Sequence, residues 1–181
     1  MNNRKVYISG EIVPEVDAKI SIFDSAVLLG DTVTESTRTF NFKPFKLDEH
    51  LERLYKSFKL TRIDPQMTIE EMKKVSLELL EINKDNYKAN EDCWLVHNIS
   101  RGHSITGGNP ALQVSKPTVM IYTQPMNLVS WAPFYRKGCH AVTPPTRMVP
   151  SQSLDARIKN RSRLFYTLAE IEAKLVDPDA Q

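Results

Sequence analysis

The most informative strand-like stretch of the chain reads Thr32-Val33-Thr34-Glu35-Ser36-Thr37-Arg38-Thr39-Phe40. It is rich in Thr and Val, has few helix formers and ends at the turn sequence Asn41-Phe42-Lys43-Pro44, so it predicts a strand. Strand alternation places Thr34, Ser36 and Arg38 on one face. Neither face is plainly apolar, which is unusual for a buried strand. Because a polar face inside a fold often lines a cavity, we expect this strand to border a binding site.

Strands and helices are predicted on both sides of this stretch. Residues 5–8 and 11–13 read as two strands joined by a tight turn at Ser9-Gly10. Apolar residues recur at helical spacing from Leu47 to Phe58, with Asp48 as the candidate N-cap. A second helix is predicted to begin at Thr68, because Thr68-Ile69-Glu70-Glu71 forms a capping box.

The rest of the chain continues the mixed pattern. It reads as strands over 92–100, 118–123 and 139–143, a glycine-containing loop over 101–110 and a helix over 162–175. Strands first, with helices packed on them, predict an α+β fold. We expect a small N-terminal α/β domain over 1–124, a connector over 125–135 and the beginning of a larger mixed α/β domain over 136–181.

Composition and charge exclude several classes of protein. The 181 residues carry 24 basic and 22 acidic side chains, and a net charge of +2 does not indicate nucleic acid or an anionic membrane as partner. Cys93 and Cys139 suggest neither a disulfide-stapled domain nor a zinc site, and the four scattered histidines predict no metal site. No signal-peptide pattern or apolar run of roughly 20 residues occurs, so we expect a cytoplasmic protein.

Several longer stretches carry a family resemblance when they are taken together. They are Ile20-Ser21-Ile22-Phe23-Asp24, the run from Leu29 to Phe40, Pro44-Phe45-Lys46-Leu47-Asp48-Glu49-His50-Leu51-Glu52-Arg53-Leu54, Leu154-Asp155-Ala156-Arg157-Ile158-Lys159-Asn160-Arg161-Ser162-Arg163-Leu164 and Ala169-Glu170-Ile171-Glu172-Ala173. In this order and separation they resemble the class IV, fold-type IV aminotransferases, which use pyridoxal phosphate. That family includes branched-chain and D-amino-acid aminotransferases, (R)-selective amine transaminases and aminodeoxychorismate lyase.

The resemblance implies pyridoxal 5′-phosphate as the cofactor and assigns two residues to it. Lys159 corresponds to the Schiff-base lysine, and Arg53, in a Glu-His-x-x-Arg-Leu helix, to a ligand of the cofactor phosphate. Both fit the chemistry, because burial and neighbouring cations favour a neutral lysine amine and a phosphate dianion prefers a bidentate guanidinium. The alternatives are a solvated lysine in a basic loop, and an exposed arginine paired with Glu49.

The substrate side is also implied by the resemblance. The strand that carries Thr34, Ser36 and Arg38 corresponds to a wall of the substrate pocket, and Leu29 lies just before it. Arg38 and Arg101 are the candidates for binding a substrate carboxylate, the alternative for each being a structural ion pair. Relatives with branched-chain activity carry aromatic residues at the places of Leu29 and Thr34, so the amino donor stays open.

The implied activity is that of a homodimeric transaminase, which moves an amino group between an amino acid or primary amine and a 2-keto acid. Two alternatives remain: a lyase of the aminodeoxychorismate type, and a non-catalytic truncated relative. In the family, a carboxylate for the pyridine nitrogen and a second phosphate-binding turn come well after the lysine helix. The chain reaches Gln181 before either. We therefore expect residues 136–181 to begin a large cofactor-binding domain whose C-terminal part is lacking.

Overall fold

The computed structural model describes residues 3–88, 91–103 and 116–181, so most of the predicted loop over 101–110 lies outside the described residues. The chain divides into two compact units. The first comprises Met1–Met126 together with Arg157–Arg161, and the second comprises Asn127–Ala156 together with Ser162–Gln181. The short segment around Lys159 therefore belongs to the first unit.

The first unit is built on a six-stranded antiparallel sheet in the order β2-β1-β6-β5-β3-β4. The strands are β1 (Lys5–Ile8), β2 (Glu11–Pro14), β3 (Thr32–Phe40), β4 (Lys43–Pro44), β5 (Cys93–Ser100) and β6 (Thr118–Pro125). The predicted hairpin is confirmed: Ile8 pairs with Glu11, and Gly10 has a φ of +112°, which glycine tolerates best. The strands predicted over 32–40, 92–100 and 118–123 are confirmed as β3, β5 and β6.

Two long helices, α2 (Leu47–Thr61) and α3 (Ile69–Asn83), cover one face of this sheet. The first unit also contains the short helix α1 (Ser25–Leu28) and 3₁₀ turns at Glu15–Asp17 and Lys84–Asn86. The core between helices and sheet includes the fully buried side chains of Leu51, Leu54, Met72, Leu79, Leu95, Ile99 and Ile121. Burying this apolar surface is the main term that holds the helices on the sheet.

The ends of the two long helices differ in how well the sequence predicted them. The capping box of α3 is confirmed, because Thr68 Oγ1 accepts from the Glu71 N–H at 3.2 Å and the Glu71 carboxylate accepts from the Thr68 N–H at 2.7 Å. The prediction that Asp48 caps α2 is wrong. Lys46, with a φ of +54°, is the N-cap, and Asp48 lies in the first turn, where it pairs with Lys73 at 2.6 Å.

The second unit contains α4 (Leu128–Trp131), α5 (Phe134–Lys137) and α6 (Leu164–Val176). The predicted helix over 162–175 is confirmed as α6, but the predicted strand over 139–143 is wrong. A strand needs a neighbour for its backbone groups, and in the described part of this unit only an isolated bridge between His140 and Ala180 provides one. Among the described residues, no helix has the length and apolar character needed to span a bilayer.

Candidate active site

The segment that carries Lys159 extends the sheet at the edge of β3. The Thr34 N–H donates to the Lys159 carbonyl at 2.8 Å, and the Arg161 N–H donates to the Thr32 carbonyl at 3.0 Å. Between these bonds Val33 and Asn160 form an antiparallel bridge. Residues 159–161 therefore pair with the N-terminal end of β3 through an isolated bridge.

This register determines which face of the sheet Lys159 occupies. In an antiparallel pair, directly opposed residues project to the same side. Lys159 is opposed to Thr34, so it lies on the face that also carries Ser36 and Arg38. Its neighbour Ile158 packs against the core, as alternation requires. Lys159 is half-buried, and the predicted lysine and the predicted pocket strand are thus in contact.

A buried serine, Ser57 of α2, links the Lys159 segment to the helix that carries Arg53. Ser57 Oγ accepts from the Lys159 N–H at 3.2 Å and donates to the Arg53 carbonyl at 3.2 Å. Ser57 is fully buried. Ser57 was not predicted from the sequence as a site residue, although its place one helical turn after Arg53 puts both residues on the same side of α2.

Arg53 forms a bidentate ion pair with Glu35 of β3. Its Nε donates to Glu35 Oε2 and its Nη2 to Glu35 Oε1, both at 2.7 Å. The alternative pairing with Glu49 does not occur, because Glu49 pairs with Lys46 at 3.4 Å. The Glu35 side chain is fully buried, whereas that of Arg53 is 52% exposed. The pair raises the pKa of Arg53, chiefly through the hydrogen bond with Glu35, so the guanidinium remains charged.

Glu35 has further donors around its carboxylate. The Ser36 N–H lies 2.9 Å from Oε1 and His50 Nδ1 lies 3.0 Å from the same atom. Burial by itself would raise the pKa of Glu35, but the hydrogen bonds from Arg53, Ser36 and His50 outweigh it and lower the pKa. Glu35 is therefore a carboxylate inside the core. This role was not predicted from the sequence, although a charged residue on the covered face of a strand was the available signal.

A cationic hollow lies beside the exposed edge of Arg53. It has a volume of about 530 Å³ and is lined by Arg53, Lys56, Lys59, Leu60 and Arg157. Among the described residues, Arg53 Nη1 has no hydrogen-bond partner, so one edge of the guanidinium remains available to a ligand. Four cationic side chains and a free guanidinium edge suit a phosphate dianion. The chemistry of this site fits the phosphate group of the implied cofactor.

The two candidate carboxylate-binding arginines have different surroundings. Arg38 is half-buried on the Lys159 face, and its Cζ lies 3.8 Å from the centroid of the Phe40 ring. Its Nε donates to the Thr39 carbonyl at 3.4 Å, and in the described ranges no carboxylate lies within ion-pair distance of it. Its guanidinium is thus stacked on an aromatic ring, while both terminal nitrogens are open to a ligand.

Arg101, in contrast, matches the structural alternative. Its Nε lies 2.7 Å from Asp31 Oδ2 and its Nη2 lies 3.3 Å from Asp31 Oδ1. It also donates to the carbonyls of Thr61 at 3.0 Å and Arg62 at 2.9 Å. This arginine joins the end of β5 to the turn before β3 and to the last turn of α2.

The remaining predicted pocket residues lie along β3 or just before it. The Thr34 hydroxyl donates to the His97 carbonyl at 3.0 Å, so it is already engaged within the sheet. Ser36 is half-buried, and Leu29 is 57% exposed. The structure brings Thr34 next to Lys159, places Ser36 and Arg38 further along the same face, and leaves Leu29 at the surface.

A buried histidine lies across from Glu35, on the face of the sheet opposite to Lys159. His97 of β5 is fully buried, and its Nε2 lies 2.8 Å from the Ser76 hydroxyl. Nδ1 has no partner among the described residues. Burial lowers the pKa of His97 to about 4, so the imidazole is neutral near pH 7.

Comparisons with known proteins identify the family. The model of the family Amino-transferase class IV matches residues 32–180. The chain is 35% identical over 175 residues to a putative branched-chain-amino-acid aminotransferase of Methanocaldococcus jannaschii, covering 97% of this chain and 57% of that protein. It is 32% identical over 120 residues to a D-alanine aminotransferase of Staphylococcus epidermidis, covering 66% of this chain and 41% of that protein.

Solved structures support the fold. The T.th. branched-chain amino acid aminotransferase, complexed with N-(5′-phosphopyridoxyl)-L-glutamate, matches with a TM-score of 0.81 at 24% identity, over 99% of this chain and 57% of that one. The branched-chain enzyme of Escherichia coli matches with a TM-score of 0.77 at 22% identity, over 97% and 56%. The expected mixed α and β architecture of fold type IV is thereby confirmed. This chain spans little more than half the length of these relatives, and it belongs to the class IV aminotransferase family.

Proposed function

We propose that this chain is the lysine-bearing part of a transaminase that moves an amino group between an amino acid or primary amine and a 2-keto acid. The observation that carries the proposal is that α2 contacts both candidate cofactor residues, holding Arg53 directly and the Lys159 segment through Ser57. Family membership supports the reaction class. The proposed cofactor is pyridoxal 5′-phosphate, which supplies an electron sink when bound.

Arg53 and Lys159 would have different roles in binding the cofactor and in proton transfer. Arg53 would hold the phosphate through its free Nη1 edge, supported by the cationic hollow. Lys159 would attach the cofactor through its amine. When it is not bonded to the cofactor, Lys159 Nζ would act as general base and would carry a proton between the substrate carbon and the cofactor.

On the substrate side we propose Arg38, and not Arg101, as the ligand of a carboxylate. Arg38 lies on the Lys159 face with both terminal nitrogens open, whereas Arg101 is engaged with Asp31 and two carbonyls. Thr34 and Ser36 would form the sheet wall between Lys159 and Arg38, with Leu29 at its margin.

Reductive trapping tests the proposal. The chain is incubated with pyridoxal 5′-phosphate, treated with borohydride and mapped by peptide mass spectrometry. We expect preferential labelling of Lys159, because the resemblance assigns the Schiff base to this lysine and because its segment is bonded to the helix that carries Arg53. Because borohydride reduction is irreversible, the reduced adduct of Lys159 accumulates even if little of the unreduced adduct is present at equilibrium.

The matched control is Lys174→Arg, which replaces an exposed lysine of α6 paired with Glu170. It should leave the labelling of Lys159 unchanged, whereas Lys159→Arg should remove the dominant labelled peptide. Labelling spread evenly over the lysines of the chain would contradict the proposal.

The partner substrates remain to be assigned by assay. Measured on a form of the protein that turns over, a donor series of D-alanine, L-leucine and (R)-1-phenylethylamine, each with and without a keto acid, separates the subfamilies, because a transaminase needs the acceptor and a lyase does not. The homodimeric state and the cytoplasmic location stay predictions.

A further inference from the structure

We infer that Glu35 is a positioning residue that orients Arg53 toward a phosphate group, so that the affinity for phosphate-bearing ligands depends on a carboxylate that never touches them. The inference rests on the proposed function, which it deepens. It concerns a residue that neither the sequence motifs nor the comparisons assign to the site.

Burying the Glu35 carboxylate in the core has a desolvation free-energy cost. A fully buried charge is tolerated in a core only when it is paired and hydrogen-bonded. Glu35 meets that condition with four contacts, two from Arg53, one from the Ser36 N–H and one from His50 Nδ1. Of these donors, only Arg53 reaches the cationic hollow. The buried Glu35 carboxylate is therefore linked to the cationic hollow through the Arg53 side chain.

The geometry of the ion pair also supports the inference. Two parallel bonds of 2.7 Å fix both the position and the plane of the guanidinium, which a single contact would not do. The Nε–Nη2 edge is held by Glu35, and the opposite edge, at Nη1, is left for the hollow. A half-exposed arginine would otherwise sample several rotamers and lose that freedom on binding. Glu35 removes this cost before a ligand arrives.

The charge of Glu35 should by itself weaken phosphate binding, whereas the orientation that Glu35 imposes on Arg53 should strengthen it. Glu35 cancels part of the Arg53 charge, so Glu35→Gln should strengthen phosphate binding if charge alone mattered. The amide, however, has one acceptor oxygen where the carboxylate has two, and its NH₂ group would face the donors of Arg53 and His50. We expect the loss of orientation to dominate, because the half-exposed guanidinium is screened by solvent.

The experiment compares two ligands that differ only in the phosphate. Borohydride trapping at Lys159 is measured against concentration for pyridoxal 5′-phosphate and for pyridoxal. With Glu35→Gln, the concentration of pyridoxal 5′-phosphate for half-maximal labelling should rise about ten-fold, the size of one charged hydrogen bond, while that of pyridoxal is unchanged. A purely structural role would shift both ligands together.

Two variants complete the design. Glu15→Gln is the matched control, because Glu15 forms a bidentate pair with Arg4 at 2.9 and 2.8 Å outside the hollow, and it should alter neither ligand. If Glu35→Gln does not fold, Glu35→Asp keeps the charge, shortens the reach and should give a smaller selective loss. In an Arg53→Ala background, changing Glu35 should have no further effect on the selectivity for phosphate.

The outcomes separate the inference from the proposed function. Selective weakening toward the phosphate ligand, abolished in the Arg53→Ala background, supports the inference. Unchanged or tighter binding of pyridoxal 5′-phosphate by the Glu35 variants overturns the inference. If Lys159 is still labelled preferentially in the unaltered chain, the proposed function stands. Absence of preferential labelling at Lys159 in the unaltered chain overturns both.

Discussion

At the residue scale, the centre of the first unit is unusual because two titratable side chains face each other inside it. Glu35 and His97 are cross-strand partners on β3 and β5, and both are fully buried. Each is stabilised in the form that its surroundings permit: Glu35 as an anion held by Arg53, and His97 as a neutral ring beside Ser76. The fold is therefore sensitive to proton uptake at both positions.

His97 gives the first pH prediction. Its pKa is about 4 in the fold, against an ordinary value of 6.5, so the unfolded chain binds more protons between these values. Stability from the neutral ring is complete above pH 6.5 and is lost as the pH falls toward 4, by about 3 kcal/mol. With His97→Gln, this part of the pH dependence of the unfolding free energy should vanish in urea titrations.

The control for this prediction is His140→Gln. His140 is exposed and lies in the second unit, where it pairs with Asp177 at 2.9 Å. The slope between pH 6.5 and 4 in this variant is compared with that in His97→Gln. The loss of stability that accompanies protonation of Glu35, whose pKa is lowered from 4.5, should persist in both variants. An unchanged slope in His97→Gln would contradict the account of the buried ring.

At the element scale, α2 sets the spacing between the two candidate cofactor residues. It carries Arg53 directly, and one turn later Ser57 contacts the backbone of Lys159. A helix has a fixed rise per turn, so the placement of one residue determines that of the other. This spacing depends on the Ser57 side chain, which belongs to none of the family motifs in the sequence.

Ser57→Ala tests this role. Removing the hydroxyl leaves the Lys159 N–H without its acceptor, and we expect the hydrogen exchange of that amide to accelerate about ten-fold. Ser76→Ala is the matched control, since Ser76 is an equally buried helical serine that contacts Met72 and His97 instead. If the amide of Lys159 exchanges at the same rate in both variants, Ser57 does not hold the segment.

The elements also show what the sequence could and could not predict. The capping box at Thr68 and the hairpin at Ser9-Gly10 are local, and local rules located both. Asp48 was a wrong cap, because the chain enters α2 through a left-handed Lys46 rather than through an Asx side chain. The strand over 139–143 failed because strand formation needs a partner, which local propensity does not report.

In the candidate site, too, residues in sequence motifs were predicted, and residues whose role depends on tertiary contacts were not. Lys159, Arg53 and the pocket strand followed from motifs of the family, and the structure brings Lys159 next to Thr34. The roles of Glu35 and Ser57 arise only from tertiary contacts between β3, α2 and the lysine segment. Arg101 is the converse case, a motif arginine that the fold uses for an ion pair.

At the scale of the whole molecule, this chain spans 57% of the length of its Methanocaldococcus jannaschii relative. The apolar side chains of α6 are largely exposed, with Leu164 at 71% and Leu175 at 82%. An apolar helix face of this kind is normally covered in a folded protein. The resemblance assigns none of residues 1–181 to the family's carboxylate for the pyridine nitrogen or to its second phosphate contact.

We therefore expect residues 1–181 by themselves to bind pyridoxal 5′-phosphate weakly. Absorbance titration should show incomplete formation of the cofactor band, and no turnover should be detected with any donor and keto acid pair. The full-length Methanocaldococcus jannaschii relative, titrated in the same buffer, provides the comparison. Full cofactor absorbance together with turnover in the 181-residue chain would contradict this expectation.

The pairing of residues 159–161 with the start of β3 also has a consequence for the order of folding. The two partners lie far apart in the sequence, so closing the loop between them has an entropic cost, as it has for the pairing of β1 with β6, and in the lysine segment two backbone hydrogen bonds offset it. The hairpin of β1 and β2 and the two long helices involve close neighbours and can form early. We expect the lysine segment to dock last, after the rest of the sheet has formed. A nascent or partly folded chain would then lack a reactive amine in its final place.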